Sequence, residues 1–67
     1  MKYLVIEIQK NGDGAISNLV TTYADAKLAE SAYHTILAAA CISGLPAHTA
    51  IFVTEDGYVI DSKSYKN

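Results

Sequence analysis

Ala29-Glu30-Ser31-Ala32-Tyr33-His34-Thr35-Ile36-Leu37-Ala38-Ala39-Ala40 keeps a helical period over its whole length with no Gly or Pro to interrupt it. At about 100° per residue, Ala29, Ala32, Tyr33, Ile36, Leu37 and Ala40 share one face, while Lys27, Glu30, Ser31 and His34 lie on the other. The pattern predicts a helix over 25–42. Asp25 is placed to cap its free amides and to meet the positive end of its dipole. Gly44 is a natural C-terminal cap, and Pro46 prevents the helix from resuming. The small alanines let such a helix lie close to whatever it covers.

On either side of this stretch the sequence alternates or turns. Over 2–10, Leu4, Ile6 and Ile8 alternate with Tyr3, Val5, Glu7 and Gln9, which reads as a strand. Asn11-Gly12-Asp13-Gly14 supplies residues that tolerate positive φ, and a second strand is expected to return over 15–23. Beyond the helix, a third strand over 48–55 is followed by the hairpin signal Asp56-Gly57 and a fourth strand over 58–62, with a tail at 63–67 expected to fray. The order is ββαββ. The fold class is α+β: a four-stranded antiparallel sheet in the order 2-1-3-4 with one helix packed on one face, the competing order being 1-2-4-3.

Turn lengths then decide which side chains share a face. A two-residue turn at Asp56-Gly57 sets Val53 opposite Ile60 and Ile51 opposite Ser62, the more apolar side of that hairpin and the one expected to meet the helix. Its other side carries Ala50, Phe52, Thr54, Val59 and Asp61. A four-residue loop over 11–14 sets Ile6 opposite Leu19 on the helix side, with Val5 opposite Val20 and Gln9 opposite Ile16 on the far side. One helix covers one face, so the far face is expected to expose Tyr3, Val5, Ile16, Val20, Phe52 and Val59. Side chains of that kind on one surface mark a contact site, since half-buried antiparallel sheets alternate apolar with polar more cleanly.

Composition bounds the function. At 67 residues, 51% of them hydrophobic and 18% charged, the chain folds as one domain with a small core. The net charge is −2, the five basic residues are all lysines scattered at 2, 10, 27, 63 and 66, and there is no arginine. Nucleic-acid binding needs clustered positive charge and favours arginine as a base reader, so this balance argues against DNA or RNA as the main partner and against an anionic membrane surface. The single Cys41 cannot form an intramolecular disulfide and, without other cysteines, makes no thiolate metal site. Glu7 interrupts the apolar run at the start, so no signal segment is expected and the reading is cytoplasmic.

The chemistry-bearing residues are few. Glu30 and His34 are four apart on one helix face, half of a helical metal site, but no third ligand follows at a matching spacing, and a solvated helix face is the plainer reading. His48 lies past the Gly44 to Pro46 turn. Cys41 falls at the negative end of the helix, which disfavours a thiolate, and is expected as a buried or half-buried apolar residue. Tyr33 and His34 are neighbours on a helix and point away from each other, so Tyr33 is expected as the largest core residue of the helix. The Asn11 to Gly14 loop lacks the later acidic ligand of a calcium loop and joins two strands, so it is no phosphate cradle either. No catalytic residue, metal, cofactor or small-molecule ligand is predicted.

Met1-Lys2-Tyr3-Leu4-Val5-Ile6-Glu7-Ile8-Gln9, Ser17-Asn18-Leu19-Val20-Thr21, Ala29-Glu30-Ser31-Ala32-Tyr33-His34 and Pro46-Ala47-His48-Thr49-Ala50 together resemble the short proteins of unknown function found in gut Firmicutes, often within conjugative transposons or prophage-like elements. The resemblance implies a bacterial cytoplasmic accessory protein of a mobile genetic element, and carries no reaction, ligand or site residue with it. The expected function is a non-enzymatic protein-interaction module, in its simplest form a homodimer through the open sheet face. The alternatives are a nucleic-acid-associated regulatory protein of that element and a minor enzyme or metal binder using His34 and His48.

Overall fold

A computed structural model describes residues 1–66 of the chain. Its elements follow the expected order: β1 (Tyr3–Lys10), β2 (Ile16–Tyr23), α1 (Ala26–Ile42), β3 (Ala47–Thr54) and β4 (Val59–Tyr65). The strands form one sheet in the order β2-β1-β3-β4 with every neighbouring pair antiparallel. The fold is α+β, with α1 packed on one face of the sheet.

The helix starts as its sequence dictates. Asp25 is the N-cap, and its carboxylate accepts a hydrogen bond from the Lys27 amide at 2.7 Å. It ends differently. Ser43, not Gly44, is the C-cap, in an extended conformation with its N–H donating to the Ala40 carbonyl, and Gly44 does not take a positive φ. The chain therefore leaves the helix directly into the extended approach to Pro46, and no left-handed residue is needed.

The face that α1 buries is the expected one. Ala29, Tyr33 and Ala40 are fully enclosed, with Ala32, Ile36 and Leu37 packed around them. Tyr33 is the one large side chain that the helix buries completely, at 1% exposure, and its ring packs on Phe52 at a centroid separation of 6.1 Å. Phe52 in turn meets Tyr3 at 5.9 Å, and Val5 and Ala50 complete the cluster. Small residues on the helix and on the sheet together leave a slot one aromatic ring deep, which Tyr33 fills.

The sheet face beneath the helix is the reverse of the one expected for the two central strands. Val5 and Phe52 are core residues at 2% and 4% exposure, while Leu4, Ile6, Ile8 and Ile51, with Val53 buried among its neighbours at 8% exposure, lie on the side away from the helix. Loop parity decides which outer-strand residues share a face with each row. The Asn11 amide donates to Ala15, and the Gly14 amide donates back to Asn11, so the first hairpin turns through three residues with Gly14 at φ 90°. Ile6 therefore pairs with Val20 and Val5 with Thr21. The second hairpin does the same: Thr54 pairs across the turn with Tyr58, and Gly57 sits at φ 89°. Three-residue hairpins ending in a left-handed Gly are a standard solution. Each odd loop turns the inner strand over relative to the outer one, because side chains alternate with period two.

A bulge between Phe52 and Val53 on one side and β4 on the other then restores the expected register further along, with Ile51 opposite Ser62. It brings Asp61 opposite Phe52, on the helix side. The tail expected to fray from Lys63 instead completes β4: Tyr65 pairs with His48, and the hydroxyls of Thr49 and Ser64 are 2.7 Å apart. Asn67 lies outside the described residues.

Burial, then the negative charge of Asp61 and its hydrogen bond, push the Tyr33 phenol above its usual value of 10.0. The folded protein thus holds this proton more tightly than the unfolded chain, so stability falls as pH rises through the unfolded value toward the folded one. Chemical denaturation of wild type and Tyr33→Phe across pH 9 to 11 is expected to show the wild type losing stability faster above pH 10.0, with the variant's curve flatter in that window.

Candidate interaction face

Two features of this fold could carry function: a polar cluster under the helix and an aliphatic surface on the side the helix leaves open. The polar cluster forms where β1 and β3 run side by side. Glu7, Gln9 and His48 project toward the helix from the same side as Val5 and Phe52. His48 is 3% exposed, and its Nε2 lies 2.7 Å from Glu7 Oε2. Gln9 Nε2 donates to the same carboxylate oxygen at 3.1 Å, and the hydroxyl of Ser43, at the end of α1, lies 3.3 Å from His48 Nδ1. A buried polar side chain costs free energy unless it is hydrogen-bonded, and here every ring nitrogen has a partner. The cluster ties both central strands to the helix end.

It does not bring together Glu30, His34 and Cys41, the other candidates of the sequence. His34 sits on the exposed side of α1 with its ring against the edge of Tyr33 at 5.4 Å, and Glu30 is exposed on the same helix. Cys41 is exposed, not buried among apolar neighbours as its sequence context suggested, because it falls on the outer side of the last turn of α1. Among the described residues, no group of three or more His, Cys, Asp and Glu could hold a metal. The Glu7–His48 pair escaped the sequence reading because its members are 41 positions apart. Its trace was that Glu7 and Gln9 share the strand face of Val5.

The open face is built by the other half of each strand. Cross-strand rows place Val59, Val53, Leu4 and Thr22 side by side, then Ser62, Ile51, Ile6 and Val20, then Ser64, Thr49, Ile8 and Asn18. Leu4, Ile6, Ile8 and Ile51 are half-buried by each other, while Ile16, Val20 and Val59 at the margins are 66%, 51% and 51% exposed. Of the six residues expected to form this surface, Ile16, Val20 and Val59 are on it. Tyr3, Val5 and Phe52 are on the opposite side, against the helix.

The charge on this surface is sparse: Lys10, at one end of β1, is its only ionisable side chain among the strand residues, and it carries no carboxylate. The polar groups are hydroxyls and one amide, confined to Thr22, Asn18 and the corner of Thr49, Ser62 and Ser64. The helix does not reach around to it, and among the described residues no helix is long and apolar enough to cross a membrane.

Compared with known proteins, the chain matches no family model, no curated protein and no solved structure. The geometry of the two faces is therefore the basis for any functional reading.

The assignment of faces is tested by placing a charge on each. Val5→Lys and Phe52→Lys each bury an unpaired ammonium and remove core packing worth roughly 2–5 kcal/mol, comparable to the whole stability of a domain this small. Both are expected to abolish the cooperative thermal transition followed by circular dichroism. Ile16→Lys, on the open margin, is expected to leave it within a few degrees of wild type.

Proposed function

We propose that the protein is a non-enzymatic interaction module whose contact surface is the open sheet face, and that its partner in the simplest form is a second copy of itself. The observation that carries this reading is the row structure of that face: Leu4, Ile6, Ile8, Val20, Ile51, Val53 and Val59 form one continuous aliphatic field.

Extent and charge support a twin as the partner. Four strands at about 4.8 Å spacing and eight residues at about 3.3 Å each give a face of roughly 500 Å2. Two such faces bury on the order of 1,000 Å2, the threshold of a specific interface. Among its strand residues this surface holds one terminal lysine and no carboxylate, with Lys2 and Glu55 paired beyond its edge, so little charge opposes a second copy across a two-fold axis. β-Branched side chains on two such faces can interdigitate as in a sandwich, at about 10 Å between sheets. An accessory role in a mobile genetic element belongs to the same proposal and is supported by the sequence resemblance alone.

Size-exclusion chromatography with light scattering over a dilution series tests the reading. The wild type is expected to elute as an even-numbered assembly that dissociates on dilution. Ile6→Lys and Ile51→Lys, at the centre of the field, are expected to remain folded by circular dichroism and to lose the part of this association that the open face contributes, giving a smaller assembly than the wild type at the same concentration. A wild type that stays monomeric at millimolar concentration overturns the proposal.

A further inference from the structure

The two edges of the sheet are unlike each other. β4 is defended: it is bulged opposite Phe52 and Val53, and it carries Asp61 and Lys63 within its seven residues. Bulges and charges are how sheets keep an edge from recruiting another strand. β2 has neither. Its eight residues, Ile16-Ser17-Asn18-Leu19-Val20-Thr21-Thr22-Tyr23, contain no charge, no Pro and no register shift against β1. Every residue from Gly12 to Thr22 is exposed.

The backbone groups that this edge presents follow from the hairpin. The Asn11 amide donates to the Ala15 carbonyl at 2.8 Å. Antiparallel alternation then turns the amides and carbonyls of Ser17, Leu19, Thr21 and Tyr23 toward β1, and those of Ile16, Asn18, Val20 and Thr22 outward. Leu19 adds an apolar signal. It projects from the helix side of the sheet, opposite Glu7, yet remains 61% exposed because α1 lies mainly over the central strands and leaves this part of β2 uncovered.

We propose that β2 pairs edge to edge with β2 of a second copy, antiparallel about a two-fold axis normal to the sheet and passing at Leu19. This goes beyond the open-face reading and does not depend on it. The axis keeps both helices on the same side of a continuous eight-stranded sheet, so residues that meet must come from the same face, and centring on Leu19 satisfies this. Asn18 then lies opposite Val20 of the twin and Ile16 opposite Thr22, so all four outward-facing residues take backbone partners. The two Leu19 side chains meet at the axis, in the non-hydrogen-bonded position where cross-strand side chains are closest. Absence of charge along β2 removes the repulsion that would oppose identical strands. The margin of β4, broken by the bulge between its pairings with Val53 and Phe52, offers a second copy no unbroken run of this length.

The test uses charge at the axis, where an exposed side chain can be changed without touching the core. Leu19→Lys and Leu19→Glu are each expected to keep the circular dichroism of the wild type. In the wild type, amide exchange at Ile16, Asn18, Val20 and Thr22 is expected to slow at least tenfold between micromolar and millimolar protein. Each single variant is expected to lose that slowing through like-charge contact, and an equimolar mixture of the two to regain it through the Lys–Glu pair. The same measurement in an Ile6→Lys background, where the open face is blocked, is expected to give the same slowing. Outward amides that exchange at one rate at all concentrations in the wild type overturn the proposal, as does a mixture that exchanges like its separate components.

Discussion

Everything in this domain is arranged around one contact, the ring of Tyr33 laid on Phe52 and Val5. The helix that carries it is otherwise lined with alanine on its inner face, and Ala50 lies below. Alanine lets backbones approach, but buries little apolar area by itself. The slot that results is filled by a single phenol, whose proton burial and the negative charge of Asp61 on β4 help to hold. One side chain thus joins the helix to the two central strands of the sheet. A core this shallow leaves no depth for a second layer, and the aliphatic half of each strand is turned away from it.

Element type and order were legible from residue pattern alone. The helix could be read from its period and from Asp25, and the sheet order from antiparallel neighbours and a single crossover. What the pattern could not decide was which half of β1 and β3 faces the helix. Leu4, Ile6 and Ile8 make as good a core row as Tyr3 and Val5, and Ile51 and Val53 as good a row as Ala50 and Phe52. With both rows apolar, loop parity decided which outer-strand residues share a face with each row, and the crossover decided which row meets the helix. Gly14 and Gly57 settle the parity by taking positive φ as the last residue of a three-residue turn. Neither Gly announces this in sequence, since a Gly in the same place also fits the even loops.

The chirality of the crossover bears on the same question. β2 and β3 both run antiparallel to β1 and so run parallel to each other, which makes α1 the connection of a split βαβ unit. Such connections are right-handed almost without exception. The helix therefore has its side chosen by chain direction and strand twist, irrespective of which face is greasier. The more aliphatic face is left uncovered as a consequence of topology, and the candidate surface is where that constraint and the hydrophobic pattern disagree. Of the residues expected there, the outer-strand members Ile16, Val20 and Val59 kept their places and the inner-strand members did not, because only the inner strands were inverted by the loops.

The bulge opposite Phe52 and Val53 has a meaning for assembly as well as for register. A sheet with two mateable margins can extend without limit, each newcomer offering a fresh template to the next, and this is how fibrils grow. Here the kink at Ile60 and the charges of Asp61 and Lys63 blunt one margin, leaving β2 as the bare one. With β2 paired as proposed, growth through strand pairing would stop at two chains, held finite by an irregularity in the last strand.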